Sequence, residues 1–410
     1  MKDRMSLVKS DNCQDMQNRT STIKSIFLLY MPLMYIAIGL MLGVFGNGLP
    51  FKDWIRLLVS IIGVFMLIKN YTLIKKNRVF RSLILLMILI ILPTFIYYFI
   101  SNPARAESVR NLGDSILWIS VMVLAYLVGY KNSDTLYNSR IIALTIPIYF
   151  VVFKSVKAFF VLNTDDTALI STAYYALFLV PFAFMIKRKW LMWFLLCIVF
   201  LTVVLSSKRA GFISFIGALI VYAYLTIKID NKGGGNRLKY FLAFVLIGIV
   251  GLQLFNSFIS TNNIHLLDRL ATMQEDGGSG RDEVYAYTWG LLMDSDLLSL
   301  LFGHGFNTVV HYSLLELSAH TDFLETPFDY GIVGMIVYII FYFRLFKYYK
   351  ILKWYNPSYA PIFLSTLFIT LVLSTFAHLI IYPTHYLFFC MYWGFLMGEC
   401  DRAIKDNHLV

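Results

Sequence analysis

Apolar runs separated by short polar stretches recur along the whole chain. Twelve can be marked: 25–46, 54–68, 82–101, 112–130, 141–162, 168–186, 190–206, 210–228, 240–260, 329–348, 359–380 and 384–399. A helix rises about 1.5 Å per residue and the hydrocarbon core of a bilayer is about 30 Å thick, so roughly 20 apolar residues make one crossing. In lipid the backbone must satisfy its own hydrogen bonds, which selects helices for such runs. The pattern therefore predicts an all-α polytopic membrane protein with about 12 transmembrane helices, of which 54–68 and 190–206 are the shortest. Residues 1–24 and 400–410 are polar tails. One connection differs from the rest. Residues 261–328, between spans nine and ten, form a long loop that mixes Leu, Phe, Tyr and Trp with charges, and it predicts short helices folded on the membrane surface. The organisation is thus a tail (1–24), spans one to nine (25–260), the large loop (261–328), spans ten to twelve (329–399) and a second tail (400–410). No repeat period relates the spans.

Composition agrees with this pattern. Hydrophobic residues make up 59% and charged residues 14% of the chain, with mean hydropathy +0.69. Soluble domains carry about 25% charged residues, so a soluble enzyme and a disordered chain are both excluded. Four cysteines are too few for a disulfide framework. Cys197 and Cys390 lie in apolar runs, Cys13 and Cys400 in the polar ends, and none has zinc-like spacing. The first 24 residues lack an apolar core and read as a tail, not a signal peptide.

The net charge of +11 would suggest nucleic acid in a soluble protein. Here it records topology. With the N-terminus inside, 25 of the 35 basic residues fall in internal segments, 7 in external ones and 3 within spans. The positive-inside rule then puts both termini in the cytoplasm and the 261–328 loop outside. The inside carries the excess positive charge and the outside is net negative, so no nucleic-acid partner is expected.

Basic residues on the external side run against this bias, and each calls for a reason. Lys208 and Arg209 stand in the short connection Ser206–Gly211, where a guanidinium lies at headgroup depth and can pair with phosphate. Arg281 follows Gly277-Gly278-Ser279-Gly280, a run that can bring backbone amides close to an anion. Arg269 precedes Gly280 by eleven residues. Arg105 and Arg110, on the same side, suit the same field or anionic headgroups equally. Lys154 and Lys157 share one face of span five and suit a functional role or snorkelling equally. His304, His311, His320, His378 and His385 are all external or at the outer membrane face. His320 sits in Ser318-Ala319-His320-Thr321-Asp322-Phe323-Leu324-Glu325, where an imidazole or carboxylate could take a proton from a hydroxyl; the other histidines read as interfacial or core residues. Asp294-Ser295-Asp296 has the form of a metal-binding DxD but reads as a solvated loop or helix cap. Asp165-Asp166 reads as solvated. Trp289, Tyr285 and Tyr287 suit sugar stacking or loop packing equally. No pair of histidines has the helical spacing of a zinc site, so neither a metal nor a cofactor is expected.

Several of these segments, in order, resemble the O-antigen ligase and polymerase superfamily. They are the Ser207–Gly211 turn, Gly280-Arg281-Asp282, Phe302-Gly303-His304-Gly305-Phe306, His320–Glu325 and Gly331-Ile332-Val333-Gly334. The resemblance covers roughly residues 190–350. It implies a bacterial inner-membrane, metal-independent, inverting glycosyltransferase with a GT-C-like fold and an external active site. The donor would be an oligosaccharide on undecaprenyl diphosphate, and the partners would be such lipid-linked glycans and the lipid bilayer, with a chain-length regulator left open. By the same resemblance Arg209 and Arg281, helped by Lys208 and Arg269, would bind the diphosphate, and His320 would be the base. Thr321 stands where the ligase pattern has Asn, and Asp322 and Glu325 are added; this departure favours a polymerase and leaves the base open among His320, Asp322 and Glu325. A ligase remains the alternative within the superfamily. A lipid-linked oligosaccharide flippase is the alternative of another class, against which the asymmetric position of the large loop counts.

Overall fold

In the computed structural model, the described residues are 51–100, 105–131, 172–186, 188–205, 208–229, 277–313, 317–377, 379 and 383–407. Among them every regular element is a helix: α1 Phe51–Lys69, α2 Tyr71–Lys76, α3 Arg78–Ile100, α4 Arg105–Lys131, α5 Thr172–Leu177, α6 Val180–Phe184, α7 Lys189–Leu205, α8 Arg209–Ile229, α9 Gly277–Met293, α10 Leu297–Phe302, α11 Val309–Tyr312, α12 Asp322–Tyr355, α13 Ala360–Phe376 and α14 Pro383–Asn407. Two of them, α8 and α12, are long and apolar enough to cross a membrane. The runs expected at 25–46, 141–162 and 240–260 lie outside the described residues.

α4 and α14 form the centre. From Leu117 to Val128 and from Tyr386 to Met397 nearly every side chain is buried, as for a helix enclosed on all sides. Between them small residues replace hydrophobic bulk. Gly394 and Gly398, one turn apart, lie against the carbonyls of Met122 and Tyr126, and Gly129 lies against the carbonyl of Phe395. A side chain at any of these glycines would strike backbone. Close approach of this kind is how helices gain contact where water gives no hydrophobic drive. α1 docks on α4 through Gly63 over Ser120, with Ser120 Oγ donating to the Ser60 carbonyl at 3.1 Å.

The outer surfaces of the helices are apolar. On α12 the exposed residues Ile332, Val333, Ile336, Ile339, Ile340, Phe343 and Phe346 follow helical spacing, and α1 exposes Trp54, Leu57, Leu58, Ile61, Val64, Phe65 and Ile68 in the same way. Such stripes suit lipid and would be a liability in water. Lys69, Lys228 and Lys350 each bend back over an aromatic ring four residues earlier, at 5.9, 5.9 and 5.6 Å from the centroids of Phe65, Tyr224 and Phe346. That is the snorkelling geometry of lysines at a helix end. At the same end Asp401 accepts from Tyr126 Oη at 2.7 Å and from Asn77 Nδ2, joining α4 and α14 to the short α2–α3 link.

Two expected spans differ in form. The run 168–186 is a broken pair, α5 and α6, interrupted at Phe178 and Leu179. Pro181 at the start of α6 cannot donate to the preceding turn, so α5 cannot continue through it. Span ten begins earlier than the expected 329. α12 starts at Asp322 and kinks at Gly331, whose φ of 72° and ψ of 177° leave the helical region.

Thermal unfolding of detergent-solubilised protein checks the α4–α14 contact. Gly398→Leu, which drives a side chain into the Tyr126 carbonyl, should cost about 2 kcal/mol or more and lower the melting temperature. Gly290→Ala in α9, where an added methyl meets open space, should be neutral or gain up to about 1 kcal/mol.

Candidate active site

The start of α12 organises the site. Thr321 is its N-cap, with extended backbone and Oγ1 accepting from Phe323 N at 3.4 Å. Glu325, one turn into the helix, reaches back to accept from the backbone N–H of Ala319. Between these two anchors His320 is held at φ 54°, in the left-handed region that few non-glycine residues enter. The residues on both sides, Ala319 and Thr321, are buried.

Two cations bear on that imidazole. Burial pushes the pKa of His320 down to about 4, and the charges of Arg281 and then Lys208 push in the same direction. At neutral pH His320 is therefore an uncharged base. Lys208 precedes α8 and Arg209 is its first residue; both are partly buried. Arg281 lies in the second turn of α9 and its Nη1 donates to the Phe376 carbonyl at 2.6 Å. Its charge also reaches Tyr174 on α5. Residues far apart in sequence, Lys208, Arg281 and His320, thus share one site. Arg269 lies outside the described residues, as do Lys154, Lys157 and His378.

Asp322 and Glu325 are fully buried and turned to structural partners. Asp322 accepts from Tyr338 Oη at 2.7 Å and from Leu379 N at 2.9 Å. Glu325 Oε1 accepts from Ala319 N, while its Oε2 is buried with no hydrogen-bond partner among the described residues. Of the three expected candidates for the base, His320 is the one that is neither fully buried nor a backbone anchor. Gly277–Gly280 is the first turn of α9, where the backbone N–H groups have no partner within the helix and favour negative charge.

Beside α12 the Phe302–Phe306 turn packs against the kink. Gly303 (φ 84°) and Gly331 (φ 72°) lie so that a Cβ on Gly303 would strike the Asp329 carbonyl, and one on Gly331 the Leu301 carbonyl. Asp329, which the sequence pattern did not single out, clasps this turn. It accepts from Asn307 N at 2.7 Å, Thr308 N at 3.0 Å and Thr308 Oγ1 at 3.1 Å. An acid at the border of an apolar run is the signal that could have flagged it. His304 is part of the same packing: its Nε2 lies 2.8 Å from Ser295 Oγ and its ring stacks on Phe328 at 4.4 Å. Asp296 caps α10, accepting from Leu298 N and Ser299 N at 2.9 Å, and Asp294 is exposed. The Asp294-Ser295-Asp296 tripeptide is a helix cap.

The sign of the His320 shift gives a test. A depressed histidine pKa means that the neutral form contributes stability above the ordinary value of about 6.5, and that this contribution is lost as pH falls toward 4. Melting temperature should therefore drop between pH 6.5 and 4, and His320→Gln should flatten part of that drop. An identical pH profile in the variant would show that His320 is not held neutral.

No curated protein matches the chain. Residues 190–339, which contain Lys208, Arg209, Arg281, His320 and the Asp329 clasp, match the family model described as O-antigen ligase, a likeness over this part of the chain that supports the O-antigen ligase/polymerase superfamily of bacterial membrane proteins.

Proposed function

We propose that the protein polymerises oligosaccharide repeat units carried on undecaprenyl diphosphate, moving the growing glycan to the non-reducing end of the next lipid-linked unit. The observation that carries this reading is the uncharged His320 beside Arg281 and Lys208. Breaking a glycosyl–diphosphate bond needs charge stabilisation on the departing diphosphate more than it needs a proton there. Arg281, Lys208 and Arg209 supply it, with Arg269 as a further diphosphate contact. His320 takes the proton of the acceptor hydroxyl as its oxygen bonds to the anomeric carbon. The bond from that carbon to the diphosphate oxygen breaks on the opposite face, so the centre inverts. No metal or cofactor takes part.

Bound diphosphate would also offset the charges of Arg281 and Lys208, which add to burial in lowering the His320 pKa, and so raise its basicity as the donor arrives. The positive-inside pattern supports an external site in the bacterial inner membrane, within a GT-C-like bundle of about 12 spans whose termini are cytoplasmic.

A second reading has its own support. The matching family model is described as a ligase, and the same site would serve transfer of finished glycan to lipid A–core. The surface-glycan ladder separates the two: loss of a polymerase leaves one repeat on the core, and loss of a ligase leaves none. Arg281→Ala and His320→Ala strains should show the single-repeat band and no long chains. A normal ladder in Arg281→Ala would sink the assignment of the site.

A further inference from the structure

The last turn of α13 is held on both sides of the site. Its final helical bond is Ala377 N to Leu373 O at 2.7 Å, after which Ala377 is extended. From the α12 side, Thr321 Oγ1 donates to the Ser374 carbonyl at 3.2 Å, and Leu379 N donates to Asp322 Oδ1 at 2.9 Å. Tyr338 Oη donates to Asp322 Oδ2 at 2.7 Å and lies 2.9 Å from Ser374 Oγ, which Tyr342 Oη also approaches at 3.1 Å. Residues 374 and 379 are thereby pinned. The carbonyl of Phe376, which lies between them in the sequence, accepts from Arg281.

We infer that Asp322 is a positioning residue: by fixing the Ser374–Leu379 turn it sets where the Phe376 carbonyl, and hence the Arg281 guanidinium, stands relative to His320. The inference rests on the diphosphate-binding reading of Arg281 above. Three features support it. Asp322 is adjacent to the N-cap Thr321 and two residues from His320, so the segment that presents the base also grips the anchor of the cation. Carbonyls at a helix C-terminus carry partial negative charge and suit a guanidinium. A fully buried carboxylate at a membrane border is costly and calls for a role; Asp322 Oδ1 holds Leu379 N, and Oδ2 holds Tyr338 Oη, which in turn lies against Ser374 Oγ. The arrangement mechanically links the two ends of the reaction, acceptor activation at His320 and leaving-group binding at Arg281.

Steady-state transfer by purified protein, with an undecaprenyl-diphosphate-linked oligosaccharide as substrate, tests the link. Misplacing a binding group by about 1 Å can cost about a hundredfold. Asp322→Ala should lower kcat/KM by about tenfold to a hundredfold, mainly through KM for the donor, and leave the acidic limb of the pH profile unmoved. Asp322→Asn, which keeps one acceptor oxygen for Leu379 N, should recover much of the loss. The Asp322→Ala/Arg281→Ala double variant should be no worse than Arg281→Ala alone. Tyr338→Phe, a gentler change, should move donor KM in the same direction and decides the matter if Asp322→Ala fails to accumulate as folded protein. The inference is overturned if Asp322→Ala and Tyr338→Phe leave donor KM unchanged while Arg281→Ala is inactive. It is equally overturned if Asp322→Asn abolishes kcat with KM unchanged, which would make Asp322 the base. If Arg281→Ala itself is fully active, the diphosphate-binding reading falls instead.

Discussion

A guanidinium anchored on a backbone carbonyl keeps its whole charge. Arg281 is held by the Phe376 oxygen, a neutral group, and its positive charge bears on His320. Lys208 adds a second field from α8. Most of the surrounding architecture serves to hold these like charges near one another. Ala319 and Thr321 are buried on either side of the imidazole, and Asp322 and one oxygen of Glu325 accept from backbone and tyrosine donors. An acid free to pair with Arg281 would lower the positive potential that an anionic ligand meets.

The membrane setting explains how the bundle supports such a site. Apolar stripes on α1 and α12 face outward, leaving hydroxyls and small residues for the interior. Ser60, Ser120, Ser365, Thr366, Thr370 and Ser374 are buried, and several return their hydroxyl to a carbonyl of the preceding turn. Glycine at Gly394 and Gly398 lets α14 and α4 touch along their backbones. Close backbone contact and satisfied hydroxyls of this kind suit a site whose groups must be held in a fixed geometry.

Helix existence, the cations at 208, 209 and 281, the histidine at 320 and the capping role of Asp296 were all legible in the sequence. Each depends on local information: apolar run length, charges that break a side bias, or a side chain reaching backbone two or three residues away. The broken α5–α6 pair and the kink at Gly331 were less legible. Pro181 and Gly331 are visible as letters, but Gly331 needs its positive φ only because the Leu301 carbonyl presses on it from another segment. That the glycine run at 277–280 forms the first turn of α9 was less legible, because a loop-like composition becomes a helical turn when the residues that follow it continue the helix.

Sequence alone determined that the chain is built of apolar helices, where its charges concentrate and which segment carries the superfamily's motifs, because each of these is written in consecutive residues. Only the tertiary structure decided which candidates meet. Lys208, Arg281 and His320 are separated by dozens of residues and converge through α8, α9 and α12. The hydrogen-bond partners of Asp322, Glu325 and Asp329 were decided there too, because the donors that surround a buried carboxylate come from segments distant in sequence. Leu379 and Tyr338, Ala319, and Thr308 arrive from distant turns that no local pattern announces.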